Sequence, residues 1–464
     1  MYDAVIVGAG MSGLAAGIRL AMFDKKVCIF EKHSIPGGLN SYYRRRREPL
    51  EERKFDVGLH AMTNFIRKGE KGKPFSKLLK QLRLDYDSFQ LEEQSHSKIQ
   101  FPDAILKFSN DFELLKSEVA RFFPDDYQNF LHLVETIVQF NELDLNATYQ
   151  STKELLSQRI KNPQLVEMIM CPLLIYGSAW ENDMDFSQFV IMFKSIFLEG
   201  FARPRGGVRT ILELLTKKFL EVGGEIKYRT PVEKIIVENK KIKGVQTPNG
   251  FVESKQVFSS MGLPETYERV SEGVRLPMAP AGPLSFTETI LFYDKKVPLE
   301  QFDSTIVFYN NASQYRYQRP SSLYDNTSAV FCAPDNYHPN QRDGEGVLRI
   351  TYMANYNLWK SLEREVYLQK KQEVLADSIK LVNTLIPDFD GNVTFSDVFS
   401  PTTIERYTWH KAGAVYGSTE KSRAGKTPIE NLFIIGTDQG FVGIVGSILS
   451  GISISNLYGL MGES

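Results

Sequence analysis

The chain has 464 residues, with 55 Lys and Arg against 56 Asp and Glu, so its formal net charge is -1. This balance excludes a global electrostatic attraction to nucleic acid. Hydrophobic residues make up 42% and charged residues 24%, which excludes disordered and fibrous classes. Only Cys28, Cys171 and Cys332 are cysteines, and they form no CxxC pair. We therefore expect a reducing compartment, no disulfide framework and no metal site.

The first thirty residues have the pattern of a β-α-β unit. Tyr2–Val7 is a short apolar, β-branched run and predicts a buried strand. Residues 12–23 carry apolar side chains at helical spacing, and residues 26–30 predict a second buried strand that ends before Glu31. This order is typical of the start of a dinucleotide-binding domain.

Between the first strand and the helix lies the sequence GAGMSG, residues 8–13. Gly8 permits the tight turn, Gly10 lets the backbone approach a pyrophosphate at the helix N-terminus, and Gly13 allows close helix–strand packing. Glu31 stands where a carboxylate accepts hydrogen bonds from ribose hydroxyls and disfavours a 2′-phosphate. All these parts are in register, and GGLN follows at residues 37–40, so the motif predicts FAD rather than NAD.

Beyond residue 65 the pattern changes. Residues 66–200 are rich in apolar residues at helical spacing, broken by prolines. A sheet-like pattern with hairpin signals at 239–241 and 249–250 returns at 224–250, and a mixed block follows at 277–394. A last strand at 431–435 precedes a Gly-rich turn and a helix from 443 to about 460.

These segments predict an α/β fold in which a discontinuous FAD-binding domain of Rossmann type, glutathione reductase-like, carries an inserted α+β substrate domain. We assign the FAD-binding domain to residues 1–65, 205–275 and 395–464. The substrate-binding domain is assigned to residues 66–204 and 276–394.

Membrane contact is suggested by charge rather than by hydropathy. No apolar run approaches the ~20 residues needed to span a bilayer, and no basic region precedes the apolar N-terminus, so we expect a cytoplasmic protein. Residues 41–80, which we call the basic region, hold twelve Lys and Arg, from Arg44 to Lys80, against five acids. This excess fits peripheral contact with an anionic membrane and fits a solvated loop equally well.

Three stretches carry a family resemblance: KFDVGLHAMT at 54–63, the segment from RPRGGVRT at 203 to KGV at 245, and NLFIIGTDQGFVGIVGSILSG at 431–451. They resemble the superfamily of FAD-dependent phytoene desaturases, carotenoid isomerases and retinol saturases. The spacing of the last stretch is similar to the retinol saturase-like branch. The resemblance implies an FAD-dependent oxidoreductase that saturates, desaturates or isomerises C=C bonds of a long apolar polyene or isoprenoid, such as a retinoid or carotenoid.

The fingerprint and the resemblance together assign the cofactor-binding residues. In the family, Gly37 and Gly38 close over the phosphates, Val232 matches a backbone contact to adenine, and Asp438 matches an acid beside the ribityl and phosphate groups. The resemblance also implies that the helix beginning at Gly443 points its N-terminus at the flavin ring. The full set is Gly8, Gly10, Met11, Ser12, Gly13, Glu31, Lys32, Gly37, Gly38, Leu39, Asn40, Gly58, His60, Val232, Met261, Gly436, Asp438, Gly443, Ile444 and Val445.

Catalytic candidates are few. His60 follows the turn that the family places near the flavin ring, so it is the candidate for proton transfer, with a packing histidine as the alternative. His410 and Lys411 could reach the flavin edge or belong to a solvated loop. Apolar stretches at 171–176, 186–201 and 284–292 fit either a substrate channel or a core. The sequence contains no GxSxG or HExxH, which leaves hydrolase and metalloenzyme functions without support.

Two other functions are compatible with the same architecture. One is a flavoenzyme of the amine oxidase or protoporphyrinogen oxidase type, and the other is a non-enzymatic prenyl-binding module of the GDP-dissociation-inhibitor type. The intact GxGxxG with Glu31 argues against the module, because a protein without cofactor needs no pyrophosphate turn. A second GxGxxG is absent from the sequence, so the electron partner stays open among a quinone, oxygen and NAD(P)H.

Overall fold

A computed structural model describes residues 1–47, 51–142, 144, 148–271, 273–294, 302–337 and 344–461. Within these residues the strands are β1 Tyr2–Val7, β2 Val27–Phe30, β3 Tyr42–Arg47, β4 Glu51–Asp56, β5 Leu91–Glu93, β6 Ser97–Gln100, β7 Ile105–Phe108, β8 Ala202–Pro204, β9 Glu225–Lys227, β10 Lys234–Glu238, β11 Lys241–Thr247, β12 Gly250–Ser259, β13 Ser285–Asp294, β14 Ile306–Asn310, β15 Ser328–Cys332, β16 Glu345–Ala354, β17 Val393–Phe399 and β18 Leu432–Ile434.

The α-helices of the same residues are α1 Met11–Ala21, α2 Pro74–Leu82, α3 Phe112–Phe122, α4 Tyr127–Gln139, α5 Thr152–Arg159, α6 Pro163–Gly177, α7 Phe186–Phe193, α8 Val208–Glu221, α9 Leu263–Glu268, α10 Tyr356–Lys360, α11 Arg364–Leu385, α12 Pro401–Thr408 and α13 Gly443–Ile454. Two π-helical turns, Lys194–Leu198 and Ser455–Leu460, extend α7 and α13. The predicted opening strand, helix and second strand are confirmed as β1, α1 and β2.

The first sheet has seven strands and is built around the N-terminal unit. Strands β18, β12, β1, β2 and β9 are parallel neighbours, while β10 and β11 extend β12 as antiparallel hairpins. One end of β12 therefore pairs with β11 and the other with β1 and β18. Helices α1, α8 and α13 bury their apolar faces against this sheet. Since parallel strands carry ligands at their carboxyl ends, the sheet places the glycine turns after β1 and β18 at one edge.

The second sheet also has seven strands, in the order β17-β13-β16-β15-β14-β6-β7. All its pairs are antiparallel except β14 with β6. One face packs on the core that α3, α4, α6 and α7 share, and the other face packs on α11. The predicted fold class, a Rossmann-type domain with an inserted α+β part, is confirmed.

The division of the chain into two domains stays a prediction. Two segments near the predicted domain boundaries pack with the sheet of the other domain. Strand β17, which straddles the boundary at 395, pairs with β13 of the second sheet. Helix α2, assigned to the insert, buries Phe75, Leu78 and Leu82 in the core of the first sheet.

The C-terminal helix corrects the expectation that no segment is long and apolar enough to cross a bilayer. Within the described residues, Gly443–Leu460 meets that requirement by length and composition. Half of it is buried inside the protein, and Gly451 lies so close to the backbone of α1 that a Cβ there would overlap the carbonyl oxygen of Ser12. Core helices of globular proteins have the same length and composition.

Candidate active site

The turn after β1 has the geometry that a dinucleotide requires. Gly8 has a φ of +95°, and a Cβ there would lie 2.5 Å from Oγ of Ser260. A Cβ at Gly13 would overlap the carbonyl oxygen of Gly8, so α1 packs directly on the turn. At Gly10, by contrast, no heavy atom lies within 4 Å of the Cβ position. The backbone at Gly10 is therefore open to a ligand at the N-terminus of α1.

Glu31 lies at the end of β2 with its carboxylate held by two backbone amides. The amide of Ala9 donates to Oε2 at 2.8 Å, and that of His33 donates to Oε1 at 2.7 Å. Each carboxylate oxygen keeps a second lone pair, which ribose hydroxyls can use as an acceptor. Glu31 lines two neighbouring cavities, of about 1840 Å³ and about 110 Å³, which meet at this residue.

The second glycine pair lies on the first turn. The amide of Gly37 donates to the carbonyl of Ala9 at 2.9 Å, and Gly37 has a φ of 123°. A Cβ at Gly38 would meet only the Cα of Gly10, at 3.8 Å. Both glycines line the small cavity, so the two turns form one continuous backbone surface.

The last glycine turn also lines the small cavity. Gly436 follows β18 with a φ of +86°, and a Cβ there would lie 2.7 Å from Oγ of Ser12. The N-terminal residues of α13, Gly443 and Ile444, line the large cavity. Unpaired amides at a helix N-terminus favour negative charge, which suits a reduced flavin.

Most residues assigned to the cofactor line these two cavities. Those of the small cavity alone are Gly8, Gly10, Met11, Ser12, Lys32, Gly37, Val232, Met261 and Gly436. Those of both cavities are Glu31, Gly38, Leu39 and Asn40. Those of the large cavity alone are Gly58, His60, Gly443 and Ile444. The open backbone at Gly10 and Gly38 and the acceptor pair at Glu31 fit an FAD molecule that extends from the small cavity into the large one.

Three assigned residues lie elsewhere, and Asp438 is the informative one. It is 1% exposed and lines neither cavity. The amide of Leu263 donates to Oδ2 at 2.6 Å, and the amide of Ser418 and the ammonium of Lys421 donate to Oδ1 at 2.8 and 3.2 Å. Asp438 thus joins three segments of chain behind the cofactor site, where the sequence analysis expected an acid facing the ribityl group. Two further residues, Gly13 and Val445, are buried in the packing of α1 and α13.

The large cavity continues beyond the predicted flavin end into a region that we call the apolar limb. Its defining residues are Ile175, Tyr176, Ile191, Met192, Phe286 and Val330. The predicted channel stretches thus contribute to the limb, although most of their residues, such as Phe189 and Phe197, belong to the core. The π-helical turn after α7 adds Lys194 and Ser195 to the wall. A cavity of this size exceeds that of a typical single-ligand pocket and has room for a cofactor and a substrate.

His60 lies in the wall of the large cavity, above a buried ionic cluster. Its Nε2 is 3.1 Å from Oγ1 of Thr351 and 3.4 Å from Oε2 of Glu288. Glu288 is 3% exposed and accepts from Nε of Arg349 at 2.6 Å. Burial alone would raise the pKa of Glu288, but Arg349 and His60 lower it to about 2. Sequence reasoning missed Glu288 because it lies within an apolar strand that resembles core.

The turn that carries His60 is clamped by two guanidinium groups. Arg203 and Arg349 donate to the carbonyl of Leu59 at 2.6 and 2.7 Å. Arg203 also forms an ion pair with Asp56 at 2.7 Å. A Cβ at Gly58, whose φ is +71°, would overlap the carbonyl oxygen of Leu39. These contacts fix the backbone on both sides of His60.

His410 and Lys411 do not reach the wall that His60 occupies. His410 lines the small cavity near Gly10, and burial lowers its pKa. Lys411 forms an ion pair with Glu268. The approach of either residue to the flavin edge therefore stays a prediction.

Trp409 is a site residue that the sequence analysis did not identify. It lines both cavities and has a φ of +66°, which bulky residues rarely adopt. Nζ of Lys32 and Cζ of Arg269 lie 4.2 and 4.5 Å from its ring centroid. Burial lowers the pKa of Lys32 to about 8. No sequence pattern signals a tryptophan in the left-handed region, which is often found at ligand sites.

The chain is similar to known proteins along nearly its whole length. Prolycopene isomerase of Arabidopsis thaliana is 24% identical, over 97% of this chain and 82% of its own. All-trans-retinol 13,14-reductase of Danio rerio is 22% identical, over 98% of this chain and 85% of its own. Among solved structures, an oxidoreductase from Methanosarcina mazei superposes with a TM-score of 0.66 at 15% identity, covering 98% of this chain and 99% of the other.

The family described as flavin containing amine oxidoreductase matches residues 11–456, from the first helix to the last. The matched range begins just after Gly8 and Gly10 and includes the glycine turns at Gly37 and Gly436. The prediction of FAD as the cofactor is therefore confirmed, as is that of an oxidoreductase. This chain belongs to the family of flavin-containing amine oxidoreductases and is an FAD-dependent oxidoreductase.

Proposed function

We propose that this oxidoreductase acts on C=C bonds of a long apolar polyene or isoprenoid, of the retinoid or carotenoid kind, by saturation, desaturation or isomerisation. The observation that carries the proposal is the continuity of the large cavity, whose wall includes Gly443 and His60 as well as the apolar limb. Apolar walls bind a polyene by removing its surface from water. The full-length similarity to a prolycopene isomerase and a retinol reductase supports the same substrate class.

The residues of this chain divide the work around the cofactor. When bound, FAD supplies the exchange of a hydride with the substrate. Glu31 accepts hydrogen bonds from the ribose hydroxyls. The turn at Gly10 and the N-terminus of α1 bind the pyrophosphate, and the N-terminus of α13 stabilises negative charge on the flavin ring. The apolar limb orients the polyene and excludes water from it.

The test begins with the protein as purified. We expect an oxidised-flavin absorption spectrum and a polyene or isoprenoid in the organic extract, identified by mass spectrometry. Anaerobic incubation of the reduced protein with all-trans-retinol, and separately with a poly-cis carotene, should then give a product two hydrogens heavier or an isomer, and the oxidised protein should give a product two hydrogens lighter or an isomer. Oxidation of amines or of protoporphyrinogen with release of hydrogen peroxide, and no change in either polyene, would contradict the proposal. A protein without flavin that binds prenylated peptide would also contradict it.

We propose further that the basic region touches a membrane surface, from which a polyene must be drawn. Part of the region is already paired, since Arg45 lies 3.3 Å from Asp397 and Arg53 lies 2.6 Å from Glu345; the side chains of Arg46 and Arg47 lie outside the described part. Segment 71–80 supports the proposal better. Its exposed lysines are Lys71, Lys73, Lys77 and Lys80, and residues 72–74 and 77 line the large cavity. An apolar cavity bordered by lysines suits extraction from an anionic bilayer.

Vesicle flotation tests this surface. Each lysine near an anionic membrane contributes about 1 kcal/mol, so changing Lys71, Lys77 and Lys80 together to Ser should weaken binding by roughly 100-fold at low salt. The matched control changes Lys25, Lys217 and Lys380, which are also exposed, to Ser and keeps the same net charge. Equal flotation of the two variants would contradict membrane contact through this segment.

A further inference from the structure

A buried carboxylate lies beside the histidine in the wall of the large cavity. Glu288 and Thr351 are direct cross-strand partners on β13 and β16, and Arg349 lies two residues before Thr351 on the same strand. Side chains at such positions point to one face of the sheet. Glu288, Thr351 and His60 all line the large cavity, whereas Arg349 lies behind them and is 2% exposed. The cluster therefore faces the space that we assign to the flavin and the polyene.

The hydrogen bonds of this cluster favour one arrangement of protons. An ionised carboxylate can only accept, and Glu288 accepts from Nε of Arg349 through Oε1. The hydroxyl of Thr351 donates its single hydrogen to Oε2 of Glu288 at 3.0 Å. The oxygen of Thr351, 3.1 Å from Nε2 of His60, is left as an acceptor, and so is Oε2 of Glu288. We therefore assign the proton to Nε2 of His60, which leaves Nδ1 of the neutral ring with a free lone pair.

Nδ1 is the atom of His60 that remains available. Among the described residues, none forms a hydrogen bond with Nδ1, and the side chain of His60 is 14% exposed. Burial lowers the pKa of His60, and while Glu288 opposes this, Arg349 and Arg203 act in the same direction as burial. The titratable and charged groups that face His60 from the elements around it are Glu288, Arg349, Arg203, Cys332 and Tyr176.

We propose that Glu288, directly and through Thr351, positions His60 so that Nδ1 exchanges a proton with a carbon of the bound polyene. This inference rests on the proposed function. The step moves one proton and no electrons. In the reducing direction the Nδ1–H bond of the protonated ring breaks, and a C–H bond forms at the carbon next to the one that takes the hydride from the flavin. The imidazole returns to its neutral form, and water restores its proton. In the desaturating direction neutral Nδ1 takes the proton.

Glu288→Gln tests the proposal, because it should reverse the direction of the hydrogen bonds that link Glu288, Thr351 and His60. Nε of Arg349 still needs an acceptor, so the amide oxygen of the new side chain faces Arg349 and the amide NH2 faces Thr351. The hydroxyl of Thr351 then accepts from the amide and donates to Nε2 of His60, which moves the ring proton to Nδ1. In Thr351→Val, the matched control, Nε2–H can still donate to Glu288, so the tautomer should stay as in the native protein.

Nitrogen NMR of the histidine-labelled holoprotein measures the tautomer of His60 directly. The chain has only 6 His, and the signals missing from His60→Gln identify those of His60. We expect the Nε2–H tautomer in the native protein and in Thr351→Val, and the Nδ1–H tautomer in Glu288→Gln. A native Nδ1–H tautomer, or an unchanged one in Glu288→Gln, would overturn the inference. If Glu288→Gln does not fold, the native tautomer and the turnover of His60→Gln decide.

Turnover separates this inference from the proposed function. We expect Glu288→Gln and His60→Gln to keep the native flavin content and a KM within a few-fold of native. Their kcat should each fall by about 100-fold or more, the usual contribution of a positioned acid or base. The pH dependence of kcat should be lost in His60→Gln. Native turnover in both variants would overturn the inference and leave the proposed function standing. If the native protein turns over no polyene, the proposed function fails, and the proton exchange that rests on it fails as well.

Discussion

Two glycines of the first turn, three residues apart, should respond to the same substitution in opposite ways. At Gly10 the backbone has φ -72° and ψ 178°, which alanine adopts freely, and no heavy atom lies within 4 Å of the Cβ position. Gly10→Ala should therefore change the stability of the flavin-depleted protein by less than about 0.5 kcal/mol. The new methyl group occupies the side from which the pyrophosphate approaches. Overpacking of this kind costs about 1–3 kcal/mol, which is roughly a 5- to 150-fold loss of FAD affinity.

Gly13→Ala is the matched control. Its Cβ would overlap the carbonyl oxygen of Gly8, well inside the 3.0 Å that real Cβ atoms keep, so α1 must shift. We expect this variant to lose stability with or without FAD, while Gly10→Ala loses only the stabilisation that FAD adds. Thermal melting with and without FAD, together with titration of flavin fluorescence, separates the two effects. Native FAD affinity in Gly10→Ala would refute the placement of the pyrophosphate at this turn.

Three further predictions concern charge and fluorescence at the site. Arg349→Met leaves the buried carboxylate of Glu288 unpaired and should destabilise the fold by about 3–5 kcal/mol in urea denaturation. The pKa of Glu288 is about 2 in the folded protein and higher in the unfolded chain. Its contribution to stability should therefore be complete above about pH 5 and disappear as the pH falls towards 2. The double variant Glu288→Gln/Arg349→Met should lack this pH dependence. Burial lowers the pKa of Lys32 to about 8, so its side chain loses its positive charge above pH 8. The affinity of the native protein for FAD should therefore fall above pH 8, and that of Lys32→Met should not. FAD binding should quench tryptophan fluorescence, and Trp409→Phe should remove most of the quenching, because Trp409 is the one tryptophan that lines both cavities among the described residues.

Local sequence was sufficient for the cofactor end of the protein. The alternation and clustering of apolar residues predicted β1, α1 and β2, and the glycine spacing predicted the turn between them, because these features depend on residues within one or two turns of chain. A position that requires positive φ or has no room for a Cβ must be glycine, so it can be recognised from the sequence, as Gly8 and Gly13 can. The family resemblance extended this to the last turn and to His60.

The apolar segments show where sequence reasoning stops. In 186–201, Met192 lines the cavity while Phe189 and Phe197 lie in the core, and nothing in their chemistry distinguishes them. Which face of a helix meets a cavity depends on the elements packed against it, and these come from remote parts of the chain. The same limit explains Trp409, whose backbone conformation has no counterpart in residue type.

The sequence by itself determined the nucleotide turn and the cofactor class, but it predicted helices across residues 66–200, where β6 and β7 of the second sheet lie. Tertiary structure alone decided the roles of the buried charges. Asp438, which resembles a cofactor ligand, holds three protein donors, while Glu288, which looks like an interruption of an apolar strand, becomes the partner of His60 from 228 residues away. A buried charge is stable only where the fold supplies its donors, and those donors are set by strand register and packing rather than by neighbouring residues.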